Sequence, residues 1–312
     1  MRTILTMYRG LPRDIYALFL AQIVNSLGNF VYPFLTLLLT EKAGMSASEA
    51  GTYVMITAAA FVPGAMLGGK LADTVGRRRV IIAGFVVVAS TFIACGAVNN
   101  MALLPWFIVV AQLSMGMIHP TIHALTTDLT RPENRQAAFS LIYLGHNIGF
   151  AVGPLIAGFL FSRNVPLMFF GDAGTSLVAV VLVFLWVRES RPDVVELERI
   201  DREQPQERAE SGGILHVLFR RPALLVFMFA ALLASFVYAQ YTFSLPLYLT
   251  DVFGSVRGPE VFGLVMTTNA LVVVFGTAPL VAATRRRRPV GNVALSSGLY
   301  AVGFGTLFFG GT

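Results

Sequence analysis

One carboxylate of this sequence, Asp172, lies about six residues inside a long apolar segment, 166–187. An acid is costly to ionise in such a run and marks an ion or proton pathway. Three histidines share the setting: His119 and His123 stand one helical turn apart in segment 102–125, and His146 lies in 136–162. A reference pKa of about 6.5 suits histidine to physiological proton exchange. Pro120 frees the Gly116 carbonyl from its helical bond, so His119 could instead serve a kink. Asp172, His119, His123 and His146 are therefore the candidates for proton coupling.

Uncharged polar residues recur in the same segments. Gln22, Asn25, Asn29, Tyr32 and Thr36 follow one another at steps of three and four, a continuous helical face. Gln112 shares a face with His119 and His123, Tyr143 lies one turn from Asn147, and Tyr238 and Tyr241 are three apart. Any one of these could be interhelical hydrogen-bond glue, worth about 0.6 kcal/mol on average. Together Gln22, Asn25, Asn29, Tyr32, Gln112, His119, Tyr143, Asn147, Tyr238 and Tyr241 read as a polar and aromatic cavity for an amphipathic or lipophilic small molecule. Catalysis has no support in the sequence. It shows no nucleotide-binding loop and no metal-ligand cluster, and its single cysteine, Cys95, excludes a disulfide framework. No cofactor, metal or enzymatic activity is expected, and the expected driving force is a proton gradient.

The elements that must position these residues are membrane helices. Of 312 residues 55% are apolar and 13% charged, with a mean hydropathy of +0.71, where soluble domains carry about 25% charged residues. Windows of lipid-crossing length give nine spans: 14–40, 49–69, 80–98, 102–125, 136–162, 166–187, 222–249, 259–284 and 290–310. They are too long and too uniformly apolar for barrel strands, and the first has no small-residue cleavage site that would make it a removable signal. The fold class is all-α, a polytopic membrane protein. Twenty basic residues fall on the N-terminal side of alternate loops, against Lys42, Arg163 and Arg257 on the other. This bias places the N-terminus in the cytoplasm and the chain in a plasma membrane, the inner membrane if the source is bacterial. The pI near 9.8 thus needs no nucleic-acid partner.

A hydrophilic stretch, 188–221, divides a six-helix bundle (1–187) from a second set of three helices (222–312) and reads as a solvated cytoplasmic linker. The two sets resemble each other weakly: LLLTEKAG at 37–44 matches LYLTDVFG at 247–254, an offset at which Arg77, Arg78 and Val80 fall on Arg287, Arg288 and Val290. Parallel repeats of this kind build carriers with a site between two halves.

Two local patterns are more specific. In the loop after the second span, GGKLADTVGRRRV at 68–80, Gly76 permits a tight turn and the arginines stay at the interface. Gly69, Leu71, Ala72, Asp73, Gly76, Arg77 and Arg78 together resemble the signature loop of the major facilitator superfamily, with Thr74 where that family usually has Arg. In the fifth span Gly145, Gly149, Gly153 and Ala157 recur every four residues, with Pro154 and Gly158 beside them. Such a stripe lets helices meet backbone to backbone, and it is similar to the motif of the superfamily's drug:proton antiporters. Gln112 stands where those members commonly hold Arg, and the first span offers amides where they often carry an acid.

The resemblance implies a six-helix bundle plus an incomplete second one, and gating through Gly69, Asp73, Gly76, Arg77, Arg78 and Arg135, with Arg135 expected to pair with Asp73. It also implies a monomeric, multidrug-efflux type of antiporter working by alternating access. A sugar or metabolite permease of the same fold is the alternative, and a non-transporting remnant is another. The superfamily's body has about twelve spans; nine are found here, so the chain is expected to be a C-terminally truncated carrier that does not transport alone.

Overall fold

The computed structural model describes residues 8–98, 103–190, 222–284 and 289–309. Among these residues the regular elements are all helical. In chain order they are α1 (Arg13–Leu27), α2 (Ala47–Val75), α3 (Arg77–Ala97), α4 (Leu104–Asp128), α5 (Pro132–Arg163), α6 (Val165–Trp186), α7 (Pro222–Thr284) and α8 (Pro289–Phe309). Six stretches within them are long and apolar enough to cross a membrane. The expected linker beyond Ser190 and the arginines 285–288 lie outside the described residues.

The first span differs most from expectation. Instead of one helix over 14–40, α1 stops at Leu27, and residues 28–34 are turns before a short helix, Leu35–Leu37, and a π-helical turn, Leu38–Lys42. Gly28 and Asn29 are poor helix formers, and Pro33 both lacks a donor and disfavours helix at Tyr32. Helix α5 also breaks, at Ala151–Val152 ahead of Gly153 and Pro154. The expected seventh and eighth spans are continuous as α7 except at Gly254, whose φ of +83° belongs to the region glycine tolerates. The chain doubles back there: a Cβ on Gly258 would stand 2.5 Å from the Thr250 Cα. At the start of α2 a capping box closes, Ser46 and Glu49 exchanging backbone-to-side-chain bonds of 2.9 and 3.3 Å.

The described residues group into two compact units, one of 8–190 with 241–271, the other of 222–240, 272–284 and 289–309. Within the first, α2 packs on α4, α3 on α4 and α6, and α1 on α5 and α6. Small residues bring α2 and α4 together: a Cβ at Gly68 would meet the Met117 Cα at 2.5 Å, and Gly116 faces the Phe61 carbonyl. At one end of this unit the fully buried Phe34 meets Phe161, ring centres 5.9 Å apart, and Phe262 at 5.1 Å.

Candidate functional site

Asp172 is 5% exposed and lines a recess of about 30 Å³ with Asn25, Asn29, Tyr32, Phe92 and Gln112. That is room for one or two waters and far too little for a drug-sized solute. The α1 interruption creates the recess. Its Val31 N–H donates to Asp172 Oδ2 at 3.3 Å, while the Phe30 N–H donates to the Gly28 carbonyl at 2.7 Å. Close packing holds the interruption on α6, where Gly28 lies against Thr175 and a Cβ on Gly171 would stand 2.6 Å from the Phe30 ring. Tyr32 and Gln112 line the recess together.

The other half of the α1 polar face turns elsewhere. Gln22 Nε2 donates to Ser26 Oγ at 3.0 Å, and Ser26 Oγ lies 2.8 Å from His146 Nδ1, a bond whose direction depends on the imidazole tautomer. His146 stacks on Phe150, His123 on Phe139, and His119 meets the edge of Phe61. Asn147 donates to the Tyr143 carbonyl of its own helix at 2.8 Å, and the Tyr143 ring is exposed. Tyr238 belongs to the second unit, 6.0 Å from Tyr300, and Tyr241 to the first. The ten expected cavity residues therefore divide between the water-sized recess, the Gln22–Ser26–His146 contact and separate helix faces. Among the described residues no group of histidine, cysteine and acid could hold a metal ion.

At the loop joining α2 and α3, Gly76 is the sole linking residue, with φ +112°. Arg77 is nearly buried; it pairs with Asp73 at 3.8 Å and more tightly with Asp128, and donates to the Ala124 carbonyl at 2.6 Å. Asp73 therefore meets Arg77, where Arg135 was the expected partner. Arg77 sits one helical turn from Asp73 and has the shorter reach. Gly69 faces open space, where a Cβ would meet nothing within 4 Å. Arg78 lies over the Phe184 ring, 5.0 Å away.

Residues after α6 complete this end, and sequence reading assigned them to a solvated linker. Glu189 accepts from the N–H groups of Arg78 (2.8 Å) and Arg79 (3.2 Å), and the Ser190 carbonyl accepts from Arg77 N–H at 3.2 Å. They supply from a distance the cap that α3 lacks in its own sequence. Arg188 grips the buried Asp14 of α1, with its backbone N–H at 2.7 Å and Nη2 at 2.9 Å. These hydrogen bonds, and then the Asp14 charge, hold the Arg188 guanidinium above its ordinary pKa. An acid in the first turn of a span, as at Asp14, was the one available sequence signal of such a partner.

The α5 glycines meet two neighbours. A Cβ at Gly145 would stand 2.9 Å from Phe19, at Gly149 2.6 Å from the Leu27 nitrogen, and at Gly153 2.6 Å from the Leu27 carbonyl. Gly158 faces α7 instead, 2.7 Å from the Pro259 carbonyl, and Gly263 of α7 faces the Pro154 carbonyl.

Comparison with known proteins agrees with these features. Residues 18–312 match the profile of the Major Facilitator Superfamily. An uncharacterized MFS-type transporter of Escherichia coli (strain K12), YdeE, is 25% identical over 268 residues, covering 85% of this chain and 65% of its own. The quinolone resistance protein NorA of Staphylococcus aureus (strain MRSA252) is 24% identical over 257 residues, 80% of this chain and 64% of its own. The chain thus spans slightly under two thirds of the length of these relatives. A bacterial homologue of the human drug peptide transporters PepT1 and PepT2 has the same fold, with a TM-score of 0.68 at 14% identity, covering 86% of this chain and 70% of its own.

Proposed function

The chain belongs to the Major Facilitator Superfamily, and from that premise we propose that it works in a secondary carrier exporting small lipophilic, drug-like compounds by alternating access, driven by a proton gradient. The observation that carries the reading is the α5 stripe. Its glycines bring α1 and α7 to backbone contact on one helix, the arrangement a sliding or rocking contact between helices needs. Similarity to a quinolone resistance protein supports export over uptake. The amide-rich polar residues, with few fixed charges among them, suit a lipophilic solute better than a sugar or an anion.

The basic-residue bias supports an orientation with the N-terminus and the Asp73 end in the cytoplasm. In that orientation Gly69, Asp73, Gly76, Arg77, Arg78 and Arg135 serve the inner gate, and the Phe34–Phe161–Phe262 cluster closes the outer side. The two-bundle division, with the second bundle beginning after 188–221, belongs to the same reading, as does a monomeric carrier. Asp172, His119, His123 and His146 are the groups available for the proton.

The test is dye transport in everted membrane vesicles from cells expressing the full reading frame. Energised vesicles should accumulate ethidium, and dissipating the pH gradient should stop them. Accumulation that survives loss of the gradient, or uptake of xylose in place of ethidium, would reject the proposal.

A further inference from the structure

The recess at the α1 interruption is too small for a solute yet holds a carboxylate, three amide side chains and a hydroxyl. Asn25, nine-tenths buried, lines it without a side-chain partner, and one turn along α6 Ser176 is fully buried with its Oγ unpartnered. Buried polar groups left this way are normally completed by ordered water.

We propose that Asp172 and residues 28–34 form a proton site, in which the charge on the carboxyl group decides whether the interruption of α1 stays fastened to α6. The proposal rests on the proton-driven reading above and names the place and the consequence of protonation.

The balance is simple. A hydronium in the recess gives its proton to the Asp172 carboxylate, leaving water and a neutral acid; the reverse step returns the proton to water. In the charged form the carboxylate accepts the Val31 N–H as a charge-assisted bond. In the neutral form that bond loses about half its strength, and packing is left as the main hold on the interruption.

A proton fits this site better than an alkali ion. Sodium needs a shell of oxygens, and in discontinuous helices it is met by freed carbonyls. Here the interruption turns the Val31 N–H toward the carboxylate. The titratable groups facing Asp172 are Cys95 from α3 and Tyr32 from the interruption; α4 offers the neutral Gln112, and α1 offers Asn25. Among the described residues no Lys, Arg or His pairs with it, so a proton is what neutralises it.

Amide hydrogen exchange on the full chain in lipid nanodiscs reads the fastening directly. Between about pH 8 and about pH 5, exchange of residues 28–34, corrected for the intrinsic pH effect, should rise about tenfold. Asp172→Asn should exchange fast at both, and Asp172→Glu should restore a pH response. Should Asp172→Asn fail to fold, isotope-edited infrared spectra of the unsubstituted protein decide: a protonated aspartic acid near neutral pH supports the site, and its absence overturns it. Exchange that ignores pH overturns the proposal. So does exchange at fixed pH that slows when sodium chloride replaces choline chloride, which would make it an alkali-ion site. Proton-driven ethidium accumulation that Asp172→Asn leaves intact overturns this site and spares the export reading; a pH response of 28–34 without proton-driven accumulation does the reverse.

Discussion

At one end of the first unit Phe34, Phe161 and Phe262 meet ring to ring, with Lys42 4.9 Å above Phe161. At the other end Asp14, Asp73, Arg77, Asp128, Arg188 and Glu189 interlock through ion pairs and backbone caps. Parting the aromatic end forfeits contacts that water cannot replace. Parting the charged end exchanges protein partners for water, which rehydrates the charges and returns part of the loss. One unit thus carries an end held by shape and an end held by charge. Salt acts more strongly on the second.

The largest expected effect comes from the glycines that hold both ends on a common frame. Gly149→Leu drives a branched side chain into the Ile23 carbonyl and the Leu27 nitrogen, backbone atoms that cannot step aside. Overpacking of this kind should cost more than about 3 kcal/mol and abolish a monodisperse peak on size-exclusion chromatography. Gly69→Ala, equally a glycine of a signature motif, should leave the peak and the melting temperature unchanged, because its Cβ would enter open space. Equal damage from the two would mean that packing does not govern the frame.

Next come the two ends themselves. Phe262→Ala leaves a cavity against Phe34 and should cost about 3 kcal/mol, the same in low and high salt. Arg77→Met strands Asp128 and Asp73 and should cost about 2 kcal/mol at low ionic strength, less as salt screens the remaining carboxylates. Thermal melts of both variants at two salt concentrations measure this. Parallel salt slopes would erase the distinction between the ends.

These differences were only partly readable in the residues. Apolar period and length located the long apolar helices, and glycine spacing located the α5 surface, because both signals are local. The interruption at 28–34 was signalled by Gly28, Asn29 and Pro33, but the apolar run continues through it, and hydropathy is blind to a backbone break. The Glu189 cap on α3 spans more than a hundred positions. Nothing near Arg77 announces it, and a run of mixed charge after α6 looks the same whether it is solvated or docked. The polar residues scattered over different faces for a similar reason: spacing fixes which face of a helix they share, and packing alone decides what that face meets.

The smallest effect tests the charged end most finely. Glu189→Gln keeps an oxygen that can accept one of the two N–H groups of α3, but loses the charge that favours the helix N-terminus. Glu189 is partly exposed, so the loss should be about 1 kcal/mol and should shrink in high salt. The Ser190 carbonyl caps Arg77 N–H, and the Ser190 hydroxyl bonds the same Asp128 that Arg77 pairs with, so the two substitutions act on one network. Glu189→Gln combined with Arg77→Met should therefore cost less than the sum of the single changes, and combined with Phe262→Ala should cost the sum. Additivity in both combinations would show that Glu189 caps α3 without belonging to that network. Coupling to Phe262 would show that the two ends do not act independently.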